Sequence, residues 1–113
     1  MYIIVFRSRL TEEAGEEYRA TDAALFERVR ALAGDDLVDF RSYTSEDGER
    51  LAVVRWRSGE TLERWRRDPE HLAAKQRGRE EWFQSYEVTV AEVLRTSSGG
   101  VSVDSSPLGP AAG

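Results

Sequence analysis

The sequence predicts an α+β fold of ferredoxin-like type, βαββαβ, with an antiparallel sheet and helices on one of its faces. Three observations carry that reading. The chain opens on a near-continuous β-branched and aromatic run, Ile3-Ile4-Val5-Phe6, and passes into a long stretch with apolar residues three and four apart. Asp47-Gly48 then joins two runs of strand pattern, and a second helical stretch leads to a last alternating run. Strand, helix, hairpin, helix, strand is the order of that sandwich.

Tyr2 to Leu10 is the first strand, apolar enough to be covered on both faces, with Arg7 and Arg9 on the side of Ile3 and Val5. A helix is expected from about Glu12 to Ala33. Thr11 stands at its N-cap, Glu12 and Glu13 in its first turn complement the helix dipole, and Gly34 suits a left-handed C-terminal cap. Tyr18, Thr21, Leu25, Val29 and Leu32 form its buried stripe. Leu37–Ser45 and Leu51–Arg57 read as the hairpin strands, since Gly48 supplies the positive φ of a tight turn. Alternation puts Val38 and Phe40 opposite Leu37, Asp39 and Tyr43. Ser58 caps the next helix, with Thr61, Leu62 and Trp65; Asp68-Pro69 interrupts it and restarts it, because proline at the first helical position has no N–H to lose. The restarted segment carries Leu72, Ala73, Gln76 and Trp82 or Phe83, with Gly78 as its weak point, and Tyr86 to Leu94 alternates as the last strand.

At 113 residues the chain has room for one core, expected over residues 1–95. Residues 96–113, rich in Gly and Ser and without aromatic or periodic pattern, read as a flexible tail. The balance of 21 acidic and 16 basic side chains, net −5, disfavours nucleic-acid partners. The absence of cysteine from the chain excludes thiol catalysis and disulfides within it and is compatible with a cytoplasmic home. No stretch is long enough for a membrane span, and the N-terminus lacks signal-peptide order. The other sheet face, with Tyr43, Val53 and the first-strand run, offers more apolar surface than an exposed sheet leaves in water. A homodimer through that face, with two-fold symmetry, is predicted. Phosphate-binding, nucleotide and metal fingerprints are missing.

Placed in this order, three stretches resemble the antibiotic biosynthesis monooxygenase domain family. They are YIIVFRSRL, the run from FRSYTSEDGE through GETLERWRRDPEHLAAKQ to REEWF, and YEVTVAEVLR, together covering about residues 2–95. The resemblance implies a dimeric α/β barrel in which two ferredoxin-like sheets pack face to face, with a cavity between the helices and sheet of each subunit. It also implies a cofactor-free oxygenase acting on a phenol, quinol or anthrone-like aromatic, in which Trp65 matches a cavity-lining tryptophan of the second helix. Haem-degrading members pair that tryptophan with an Asn near the end of the first strand and a haem-ligating His on the broken helix. Here Arg7 stands about where the Asn would be and Lys75 where the His would be, with His71 one turn earlier. Haem binding with other ligation is therefore the alternative, and a non-enzymatic ligand-binding dimer is the third reading.

The expected roles follow. Trp65 stacks on a flat substrate or fills core. His71 moves a proton or is a surface histidine. Arg7, reaching toward Trp65, holds an anionic oxygen or extends into solvent. Phe40, Tyr43, Trp56, Trp82 and Tyr86 line the substrate space or pack the core.

Overall fold

The computed structural model describes residues 1–100. Its elements are β1 (Tyr2–Leu10), α1 (Glu16–Ala33), β2 (Leu37–Thr44), β3 (Arg50–Trp56), α2 (Gly59–Arg66), α3 (Pro69–Arg77) and β4 (Phe83–Glu92). A 3₁₀ turn, Gly34–Asp36, leads into β2, and a π turn, Gly78–Trp82, joins α3 to β4. All strand pairings are antiparallel, in the order β2-β3-β1-β4, which is the expected ferredoxin-like sheet.

Local signals place most element ends. Gly48 has φ 91° in the hairpin turn, as its lack of a Cβ permits. The Ser58 side chain accepts from the Glu60 N–H, and the Asp68 carboxylate caps α3 from the His71 N–H with Pro69 following it. The start of α1 differs from expectation. Thr11 does not cap it; the helix begins at Glu16 after Gly15, with no side-chain cap. Thr11 is used elsewhere: its hydroxyl donates to Glu81 O at 2.6 Å and its N–H to Trp82 O at 2.8 Å, tying the end of β1 to the π turn. The last strand starts at Phe83, earlier than Tyr86, because the π turn ends the helical segment at Trp82.

Pairing register decides which side each residue takes. Tyr2, Ile4, Phe6 and Ser8 lie level with Trp56, Val54, Ala52 and Arg50, and face the helices. Ile3, Val5 and Arg7 lie level with Arg55, Val53 and Leu51 on the opposite face. Tyr43, opposite Leu51, shares that outer face. A bulge between Leu37 and Asp39 shifts the parity of β2, so Leu37 joins Phe40 on the helix side, contrary to strict alternation.

The core gathers Val29 and Ala33 of α1 with Leu37, Val54 and Trp56, and Phe26, Phe40, Leu62 and Trp65 pack around it. Burial of side chains such as Leu37 or Val54 contributes about 1.5–3 kcal/mol each. After β4 the Val93 N–H donates to Met1 O, and no helix or strand follows as far as residue 100. The greater part of the expected tail, residues 101–113, lies outside the described residues.

Candidate active site between the helices and the sheet

The helices leave a space of about 490 Å³ above the sheet, floored by Ile4, Phe6, Ala52, Val54 and the β4 residues Tyr86, Val88 and Val90. A second groove, about 630 Å³, flanks α1 on the β2 side. Trp65 borders both. It is half-buried, not sealed in the core.

The indole has one neighbour of chemical interest. The His71 ring lies parallel on it, with centroids 4.2 Å apart and planes 11° from coplanar. His71 Nδ1 is 3.0 Å from the Trp65 carbonyl oxygen. That oxygen only accepts, so Nδ1 carries the proton and Nε2 keeps its lone pair. Burial pushes the His71 pKa below its ordinary value, and the positive charge of Lys75 adds to this against the carbonyl contact and Asp68. His71 is thus a neutral imidazole near pH 7, and the residue borders the cavity.

This stack is held by the helix restart. Asp68 is buried, accepts the His71 N–H at 3.0 Å, and receives both ends of the Arg28 guanidinium at 2.8 and 2.7 Å. Those charge-assisted bonds lower its carboxyl pKa to about 2. Arg28 belongs to α1, so the same pair fixes the α2–α3 junction against the helix across the cavity.

Other expected residues divide between cavity, core and the far face. Phe40 borders both spaces and meets Phe26 edge to face at 5.4 Å. Trp56 is 1% exposed and forms part of the cavity floor. Its Nε1 donates to Thr61 Oγ1 at 2.7 Å, and that hydroxyl donates to Asp36 Oδ2. Trp82 is buried at the cavity end, edge-on to Tyr18 at 5.3 Å and beneath the Arg77 guanidinium. Tyr86 lies on the open side of the floor.

Two expectations fail on geometry. Arg7 does not reach toward Trp65: its side chain is on the other sheet face, where Nε and Nη2 donate to the Glu49 carboxylate at 3.1 and 3.2 Å. Tyr43 is also on that face, 50% exposed, and lines neither space.

The residues that sequence reading missed as site groups are Tyr18, Asp22 and Arg50. Arg50 Nη1 donates to the Tyr18 hydroxyl oxygen at 2.8 Å, and Asp22 stands one helical turn beyond Tyr18. Tyr18 and Asp22 border both spaces, and Arg50 borders the groove. Protein packed around them raises both pKa values, although Asp22 is an exposed residue; the Asp22 charge adds to the rise at Tyr18, and Arg50 opposes both. The sequence signal was Tyr18 in the apolar stripe with an acid four residues on, but the partner on β3 is a tertiary contact. Among the described residues no group of His, Asp and Glu is placed to hold a metal ion, and no helix is long and apolar enough to cross a membrane.

Comparison with known proteins agrees with this architecture. The family model described as antibiotic biosynthesis monooxygenase matches residues 1–77, which include Trp65 and His71. The uncharacterized protein YqjZ of Bacillus subtilis is 39% identical over 71 residues, a span of 61% of this chain and 62% of that protein. Among solved structures, Rv0793 of Mycobacterium tuberculosis is 26% identical with a TM-score of 0.68, covering 86% of this chain and 98% of its own. A structure described as antibiotic biosynthesis monooxygenase shares the fold at 12% identity, with a TM-score of 0.64 over 84% of this chain and 100% of that one.

Proposed function

The chain belongs to the antibiotic biosynthesis monooxygenase family, and from that premise we propose that it is a cofactor-independent monooxygenase for a small aromatic substrate of phenol, quinol or anthrone type. The observation that carries this reading is the Trp65–His71 stack, at the wall of a largely apolar cavity of about 490 Å³. A flat ring lying on the apolar floor has an indole and an imidazole beside it, and aromatic contacts of this kind are worth about 0.5–1.5 kcal/mol beyond area burial.

The chemistry needs no bound group because the substrate supplies the electrons. His71 Nε2 takes a proton from the bound substrate, leaving a delocalised anion. That anion reduces O₂ by two electrons as a C–O bond forms; cleavage of the O–O bond leaves one oxygen as a ring carbonyl and the other as water. For an anthrone the balance is one CH₂ and one O₂ giving one C=O and one H₂O. Neutral His71 suits the proton acceptor, since its imidazole is unprotonated near pH 7 and has a lone pair to offer.

Haem fits these residues less well. His71 stands one turn before the position that a family haem ligand would take, and its ring lies stacked face-on against Trp65. A cytoplasmic homodimer is part of the same proposal. Ile3, Val5, Leu51, Val53 and Tyr43 share the sheet face that no helix covers among the described residues, and the cysteine-free composition suits a reducing compartment.

The test is O₂ uptake with anthrone. Wild-type protein should consume one O₂ per anthrone oxidised, and Trp65→Ala should abolish uptake while its circular dichroism and oligomeric mass are retained. Unchanged turnover in Trp65→Ala removes Trp65 from the mechanism. Binding of the substrate without O₂ uptake makes the protein a ligand carrier, and a Soret shift with haemin that His71→Ala abolishes favours the haem reading.

A further inference from the structure

The two spaces beside α1 meet at Tyr18, Asp22, Leu25, Val29, Phe40 and Trp65. Leu25, Val29 and Phe40 offer only apolar surface or ring faces, and Trp65 adds a ring with a single indole N–H. The oxygen-bearing groups at this junction are Tyr18 and Asp22, with Arg50 beside them. The hydrogen-bonding inventory is specific. The Tyr18 oxygen already accepts from Arg50, so its hydrogen remains to be given. Arg50 has further N–H donors, and the Asp22 carboxylate accepts from no group among the described residues. Donors and an acceptor therefore stand side by side at the edge of an aromatic slot.

We propose that Tyr18, Asp22 and Arg50 form the polar end of the ligand site and read a hydroxyl group carried by an aromatic or enolic ring. This rests on the reading of the cavity as an aromatic-substrate site and assigns to Arg50 the role expected of Arg7. A ring hydroxyl satisfies the whole set: its oxygen accepts from Tyr18 and Arg50, and its hydrogen goes to Asp22. An ether or a ketone has no hydrogen to give, and an ammonium group has no lone pair to receive. When the ring hydroxyl ionises, its O–H bond breaks, the proton forms a new O–H bond on Asp22, and the anionic oxygen stays against the guanidinium. No electron leaves in that step. The packing that raises the Asp22 pKa makes its carboxylate a better acceptor for this proton.

The experiment is calorimetric titration with 1-naphthol and its methyl ether, 1-methoxynaphthalene, which share a ring and differ in the hydroxyl hydrogen. Wild-type protein should prefer the naphthol by about tenfold or more, the scale of a hydrogen bond to a charged group. Asp22→Asn should bring the ratio near one with the affinity for the ether little changed, and Arg50→Met, which removes a donor to either ligand's oxygen, should lower the naphthol affinity more than that of the ether. Tyr18→Phe keeps the ring that packs on Trp82, so it should fold and lose part of the preference even if Arg50→Met does not fold. A wild-type ratio near one, or a full preference retained in Asp22→Asn and Tyr18→Phe, overturns the proposal. Failure of the oxygenase reading looks different: naphthol preference would persist while anthrone drew no O₂.

Discussion

Gly78→Ala tests the architecture that closes the cavity, because two opposed effects can be weighed there. Gly78 has helical dihedrals, φ −57° and ψ −46°, so its backbone alone would welcome alanine. Relief of the glycine penalty in a helix favours the variant by about 0.8–1 kcal/mol. Against this, a Cβ at position 78 would sit 2.5 Å from Phe83 Cε2 and 2.8 Å from Cδ2. The ring cannot simply swing aside, since it packs on Phe6 at 5.5 Å, Tyr86 at 5.9 Å and Tyr18 at 6.1 Å. Overpacking of this kind costs about 1–3 kcal/mol, and a contact this short belongs in the upper half of that range. The net expectation is a loss of about 1–2 kcal/mol, or a fall in Tm of roughly 4–15 °C for a domain of this size. Phe83 and Tyr86 both border the cavity, so naphthol affinity should fall as well. Thermal unfolding by circular dichroism, with the titration above, measures both. A Tm equal to or above wild type would show that the β4 aromatics are loosely packed and that Gly78 is not needed for the turn into β4.

His71 has a lowered pKa in the native state, so the folded protein binds fewer protons than the unfolded chain just below pH 6.5. The stability from keeping it neutral is complete above about pH 6.5 and is lost as pH falls through the native value; Tm of wild type should drop more steeply from pH 7 to 5 than that of His71→Gln, and parallel curves would refute the assignment. Arg7→Ala should leave naphthol affinity and anthrone oxidation unchanged, with a stability change under about 1 kcal/mol for a solvent-exposed ion pair. A loss of turnover with an unchanged oligomeric mass would return Arg7 to the site.

What the sequence determined by itself were the features encoded within a few residues. The Ser58 cap, the Asp68-Pro69 restart and the Asp47-Gly48 turn are short-range chemistry, and each formed as read. With their spacing they set the element order, and a βαββαβ order admits few topologies. Trp65 and His71 are six residues apart across the restart, close enough for local geometry to bring the rings together. Tertiary structure decided the facing of side chains and their partners from distant elements. A strand as uniformly apolar as Ile3 to Phe6 carries no parity of its own, so pairing with β3 and β4 was needed to put Phe6 on the cavity floor and Arg7 behind the sheet. A single bulge likewise turned Leu37 inward, and a π turn released Phe83 to β4. Tyr18, Asp22 and Arg50 became a group only when α1 settled on the hairpin, since hydrogen bonding between a helix and a strand thirty-two residues away leaves no periodic trace in the chain.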